Sequence, residues 1–316
     1  MSRIYLSLLC ALGPALCLAE DYDPNPNEYM DSLFNELEGL AGGGQAGQLL
    51  GLGLNLIKTG QRVTYEKEAV MGETISLQAF ARYGRLSSDP TLLQYVSLVG
   101  NAVARASFRP NTPYYFAICQ NRNPNAFAVP GGYIFITTGL LNLMKNEEEL
   151  AGVLGHEIAH VALQHAIKSI RASKQTANVL GGLDALLGER PANPKQPKKR
   201  PDYFALVGSI AKTITEKGYP FKQEVQADEF GTEFAYRAGY RVQGLRDFLT
   251  TLSKMEKSRE DFALFKTHRD HGKRVYALDK LIKKKGYPDI PINPRLAARF
   301  KANLTDRKEI KEVRGK

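Results

Sequence analysis

Residues 156–160 read His-Glu-Ile-Ala-His, inside a helical pattern that runs from Asn146 to about Ile170. No other stretch of the chain restricts its fold as strongly. An α-helix turns about 100° per residue, so residues four apart lie about 40° from one another on one face. His156 and His160 can therefore offer two imidazoles to one metal ion, and Glu157, about 100° from His156, can reach a water on it. Two imidazoles with a carboxylate base is the donor pattern of a zinc hydrolase. Asn146 is a good N-cap, and Glu147, Glu148 and Glu149 place negative charge in the first turn, where the helix dipole favours it. Leu150, Val153, Leu154, Ile158 and Val161 make the helix apolar on one side. Ionisable groups in such a helix are costly to bury without a partner, and a metal supplies one. The competing reading is a chance match on a solvated helix.

A catalytic zinc takes three protein ligands and keeps one position for water. The chain has five histidines, which leaves His165, His268 and His271. His165 lies about 140° around the helix from His160, so it points elsewhere and reads as a surface histidine. Glu224-Val225-Gln226-Ala227-Asp228 is the better source. Glu224 and Asp228 are spaced i, i+4 on an expected helix. The first can ligate the metal, and the second can accept the far imidazole N–H of a ligand histidine. Small Ala227 lets two helices approach closely. The same spacing is also common on solvated helix faces.

The order of elements is α+β. Glu66 to Tyr83 and Pro90 to Ala106 are helical in period, separated by Ser87-Ser88-Asp89-Pro90. Tyr114 to Cys119 and Tyr133 to Thr138 are strand-like, with a turn cluster at Asn121–Asn125 and a breaker at Pro130-Gly131-Gly132. Residues 184–202 form a basic, proline-rich loop. Helical patterning resumes from Phe204 to Ile282, and residues 286–316 read as a basic tail.

The first 19 residues pair a short positive start with an apolar run from Ile4 to Leu18 and small residues before Glu20. They read as a secretory signal peptide, with an uncleaved anchor as the alternative. Residues 20–65 read as a flexible glycine-rich leader, of which 39–57 pack on the domain or touch a membrane surface. After cleavage Cys119 is the one remaining cysteine, so no intramolecular disulfide is expected. The formal net charge is +10, but export argues against a nucleic-acid partner. The sequence implies no oligomeric state.

Four blocks resemble the gluzincin peptidases of the HtpX, CAAX-prenyl-protease and BepA-like group. They are Asn125–Ile134, Glu149–His160, Glu224–Asp228, and Thr267-His268 with Arg274. The resemblance covers about residues 66–285 and lacks both transmembrane helices and helical repeats. It implies a mostly helical zincin-like domain with a small sheet beside the histidine helix. It implies one zinc per chain on His156, His160 and Glu224, with Glu157 as general base and acid and Asp228 orienting a ligand. His268 would approach the metal or the oxyanion, with His271 competing for that place. Members usually carry Pro after this histidine; here it is Arg269. Asn125, Gly132, Tyr133, Ile134 and Arg274 would bind substrate, with Tyr133–Thr138 an open-edged strand that pairs with an extended peptide. The implied function is a periplasmic zinc metalloendopeptidase acting on misfolded or misassembled envelope proteins. The alternative is a chaperone-like quality-control factor for outer-membrane proteins with latent protease activity. A weaker option is a membrane-tethered enzyme acting on lipid-linked substrates.

Overall fold

A computed structural model of the chain describes residues 63–83, 85–172, 211–256, 262–305, 307 and 310–311. The expected signal peptide, the leader up to residue 62 and the 184–202 loop lie outside the described residues. The architecture is α+β and mostly helical. Helices α1 (Tyr65–Tyr83) and α2 (Pro90–Arg105) precede strands β1 (Tyr115–Cys119), β2 (Ala126–Val129) and β3 (Tyr133–Thr137). Then come α3 (Thr138–Leu143), α4 (Glu147–Ala162), α5 (His165–Ala172), α6 (Phe221–Arg237), α7 (Gln243–Met255), α8 (Ala263–Thr267), α9 (His271–Lys285) and α10 (Pro294–Phe300).

Local chemistry explains some of these boundaries. Asp89 caps α2 by accepting from the Thr91 and Leu92 amides, with Pro90 at the first helical position. Asn146 caps α4 through the Glu149 amide at 2.9 Å. The sheet order is β1-β3-β2, with β1 parallel and β2 antiparallel to β3. Residues 126–129 were not apparent as a strand between two breakers. They become one because Gly131 and Gly132 adopt φ of 81° and 97°, which folds Ala126–Val129 back along β3. β3 is therefore the central strand, paired on both sides, and it cannot take a substrate as an added strand. That expectation is corrected.

The largest core cluster joins α2, the sheet, α4, α6 and α7. It also contains Phe300, Leu304 and Ile310, so the described part of the 286–316 segment is docked rather than a free tail. Its docking fixes one end of α4. Glu147 is fully buried and accepts from the hydroxyls of Tyr95 and Tyr240 at 3.0 and 3.1 Å and from Arg299 Nε at 2.7 Å. Glu148 accepts from the Asn293 amide. Among the described residues, no helix is long and apolar enough to cross a membrane.

Candidate metal centre

Helices α4 and α6 cross where neither carries a side chain: a β-carbon on Gly155 would lie 2.5 Å from Gly231 O. Ala227 is fully buried one turn away on α6. This close approach brings Glu224 and Asp228 against the two histidines of α4. All four groups at the crossing are buried, as is His268 from the α8–α9 connection.

Four donor atoms converge. His156 Nε2 lies 3.0 Å from His160 Nε2 and 3.3 Å from His268 Nδ1. Glu224 Oε1 lies 3.4 Å from His160 Nε2, and its Oε2 lies 3.0 Å from His268 Nδ1. One donor atom from each residue fits within a span of 4.8 Å. Zinc–nitrogen and zinc–oxygen bonds of about 2.0–2.2 Å in a tetrahedron put neighbouring donors roughly 3.3–3.6 Å apart. The observed spacings lie close to that range.

The outer ring nitrogens show why these atoms need a cation. His156 Nδ1 is 2.9 Å from Asp228 Oδ1, so it carries the proton and donates. His268 Nε2 donates to Ala126 O at 3.1 Å. The neutral rings of His156 and His160 aim their Nε2 lone pairs at each other and at the Glu224 carboxylate. Such a set is repulsive until a metal ion sits among it, and the residues present fit one. Glu157 stands beside it, with Oε1 3.8 Å from His268 Nε2 and a buried Oε2 without a hydrogen-bond partner.

Electrostatics divide the carboxylates. Burial raises the pKa of Glu157, as suits a proton acceptor. Burial also opposes ionisation of Glu224, but the charges of His268 and Arg274 outweigh it and hold that carboxylate well below its usual range. Asp228 likewise stays ionised against burial because of Arg274. Burial lowers His156 and His160, keeping them neutral and available as ligands.

Several expected roles change with the geometry. Arg274, 1% exposed, donates through Nε and Nη2 to Asp228 at 2.7 and 2.6 Å and pairs with Glu224 at 2.8 Å. It braces the carboxylates from behind and has no surface to offer a substrate. Asn125 is fully buried, donating to the Tyr83 hydroxyl and accepting from Thr267. Tyr133 donates to Glu73 and stacks on Tyr115, and Gly132 and Ile134 are buried in the turn and the central strand. Asn125, Gly132, Tyr133 and Ile134 thus lie in the packed interior of the sheet and turn. His271 is buried at the start of α9 against the Phe265 ring, outside the donor set. His165 is fully buried too, with Nδ1 2.9 Å from His160 Nδ1, so its reading as a surface residue was wrong.

Tyr219 went unnoticed in the sequence. Its ring stacks on His160 at 4.1 Å, and its hydroxyl is buried without a hydrogen-bond partner. It lies just before α6, in a turn made possible by Gly218, whose φ is 69°. The Gly-Tyr-Pro run preceding Glu224 was the available signal.

A His-Glu-x-x-His helix crossed by a glutamate helix, beside a small mixed sheet, defines a zincin-like metallopeptidase domain. Comparison with known proteins narrows the class. Residues 90–282 match peptidase family M48, and the chain belongs to that family. It is 30% identical over 203 residues to the beta-barrel assembly-enhancing protease of Yersinia pestis, covering 63% of this chain and 40% of that protein. It is 27% identical over 157 residues to metalloprotease YcaL of Escherichia coli, covering 50% and 58%. It is 31% identical over 166 residues to the mitochondrial metalloendopeptidase OMA1 of Bos taurus, covering 50% and 30%. The chain thus spans about two-fifths of the length of the beta-barrel assembly-enhancing protease.

Proposed function

We propose that the chain is a zinc metalloendopeptidase of the cell envelope, exported to the periplasm by residues 1–19, whose substrates are misfolded or misassembled envelope proteins. The observation that carries the chemistry is the convergence of His156, His160, Glu224 and His268 donor atoms beside an unpartnered Glu157 oxygen. The substrate class follows from the similarity to a protease named for beta-barrel assembly. Zinc on His156, His160 and Glu224 supplies Lewis acidity toward a water and a peptide carbonyl. Glu157 takes the proton of the attacking water and returns it to the leaving amine. Asp228 holds the His156 tautomer, and Arg274 keeps Asp228 and Glu224 ionised. His268 donates to the developing oxyanion once a substrate enters.

A second reading rests on one observation. With His268 Nδ1 in the set, four protein donors close the site, the arrangement of a metal kept from substrate. This favours a latent protease, with a chaperone-like role toward outer-membrane proteins as its main work.

The test is to purify the chain from Glu20, measure bound zinc and follow casein cleavage for wild type and Glu157→Gln. One equivalent of zinc in both, with cleavage by the wild type alone, is the result expected of the protease. Zinc in both without cleavage is the result expected of the latent form. No zinc in a folded wild type refutes both.

A further inference from the structure

The α4 pattern continues past Ala162 in the sequence, but the helix does not. Leu163 ends it, and Gln164 takes φ of 54°, one of two non-glycine residues with positive φ among those described. A non-glycine residue pays for that conformation and keeps it where its surroundings enforce it. Here they do. Gln164 Nε2 donates to Glu68 Oε1 on α1, and Glu68, 1% exposed, is held in turn by Arg109 Nη1 at 2.8 Å. The Gln164 amide still bonds Val161 O, and its carbonyl starts α5 by accepting from the Lys168 amide at 3.0 Å. The break turns His165 back toward His160.

His165 and His160 then meet through their Nδ1 atoms at 2.9 Å, with ring centroids 4.9 Å apart at 70°. Of two facing imidazole nitrogens, one must donate and the other accept. If His165 donated, His160 would carry its own proton on Nε2, which points at His156 Nε2 and Glu224 Oε1. A protonated Nε2 cannot ligate a metal. The other arrangement leaves Nε2 bare and suits the donor set.

We propose that His165 is a positioning residue for the metal centre: its Nδ1 accepts the proton of His160 Nδ1 and so fixes the tautomer and ring orientation that present His160 Nε2 to the metal. It does for the second histidine what Asp228 does for the first. Arg109, Glu68 and Gln164 are the chain of contacts that sets the break, which ties α1 to the site. The inference rests on the reading of His160 as a metal ligand.

The experiment measures zinc affinity of the full chain by chelator competition and the visible absorption of the cobalt-substituted protein. Wild type is compared with His165→Leu, which fills the space without an acceptor, and His165→Asn, whose Oδ1 can stand near the Nδ1 position. Losing a partner of this kind costs about 10–100-fold in affinity, so His165→Leu is expected to fall by that much and to shift the cobalt spectrum. His165→Asn is expected to recover most of the loss. Thermal unfolding of the metal-free forms checks that all three proteins are folded. Wild-type zinc affinity in His165→Leu overturns the inference while leaving the metal site standing. Equal loss in both variants overturns it too, because shape rather than an acceptor would then matter. A wild type that binds no metal refutes the reading of the site itself.

Discussion

Where α4 crosses α6, a β-carbon on Gly231 would lie 2.5 Å from His156 N, against the 3.4 Å at which ordinary van der Waals contact begins. The obstacle is backbone on a fully buried helix, so no flexible side chain can yield. Gly231→Ala therefore has to move the helices apart by about 0.9 Å, while metal–ligand distances tolerate about 0.2 Å. His156 and His160 stand on one helix and Glu224 on the other, so that shift opens the donor set. Two effects on stability oppose each other. Alanine in a helix gains up to about 1 kcal/mol over glycine, and overpacking costs about 1–3 kcal/mol. With the full alanine gain, the metal-free protein is thus expected to lose about 0–2 kcal/mol in urea unfolding. Zinc affinity is expected to fall by at least about 10-fold in chelator competition, because each ligand distance is displaced beyond its tolerance. A folded Gly231→Ala protein that binds zinc like the wild type would refute the reasoning, since the crossing would then not set the ligand spacing.

Other perturbations reach other parts of the site and the fold. Arg274→Met leaves Asp228 and Glu224 buried without their cation, so unfolding by urea is expected to show a loss of about 3–5 kcal/mol. Leu304→Ala empties a fully buried position in the docked C-terminal segment, and a loss of about 2–5 kcal/mol is expected; a change near zero would make that segment a free tail after all. Glu149 is buried at the start of α4, and burial raises its pKa to about 7. The folded form therefore holds a proton that the unfolded form has released, so this group's contribution is full below about pH 4.5 and is lost as pH rises through about 7. Glu149→Gln is expected to match the wild type in melting temperature near pH 4.5 and to exceed it at pH 8, by melting at both values.

Much of the site was legible because helical period is local. Spacing alone put His156 and His160 on one face with Glu157 within reach, and it put Glu224 and Asp228 one turn apart. Asn146 and the three glutamates after it marked where the metal helix starts. Each of these statements concerns residues within about a turn of one another, where backbone geometry leaves little choice. Tertiary structure decided the rest. Periodicity carried α4 through to about Ile170, whereas Glu68, 96 positions away, holds Gln164 in the conformation that breaks it and so turns His165 inward. Ala126–Val129 is too short to show a period and becomes a strand by pairing with β3, which deprives β3 of an edge. Arg274 read as a substrate-binding residue until α6 and α9 closed around its two carboxylates. The basic residues after Lys285 concealed three apolar anchors, Phe300, Leu304 and Ile310, whose burial depends on α2 and α4 being in place. Which residues share a helix face is settled within the helix; which faces meet is settled by long-range burial, and no local pattern in the chain records it.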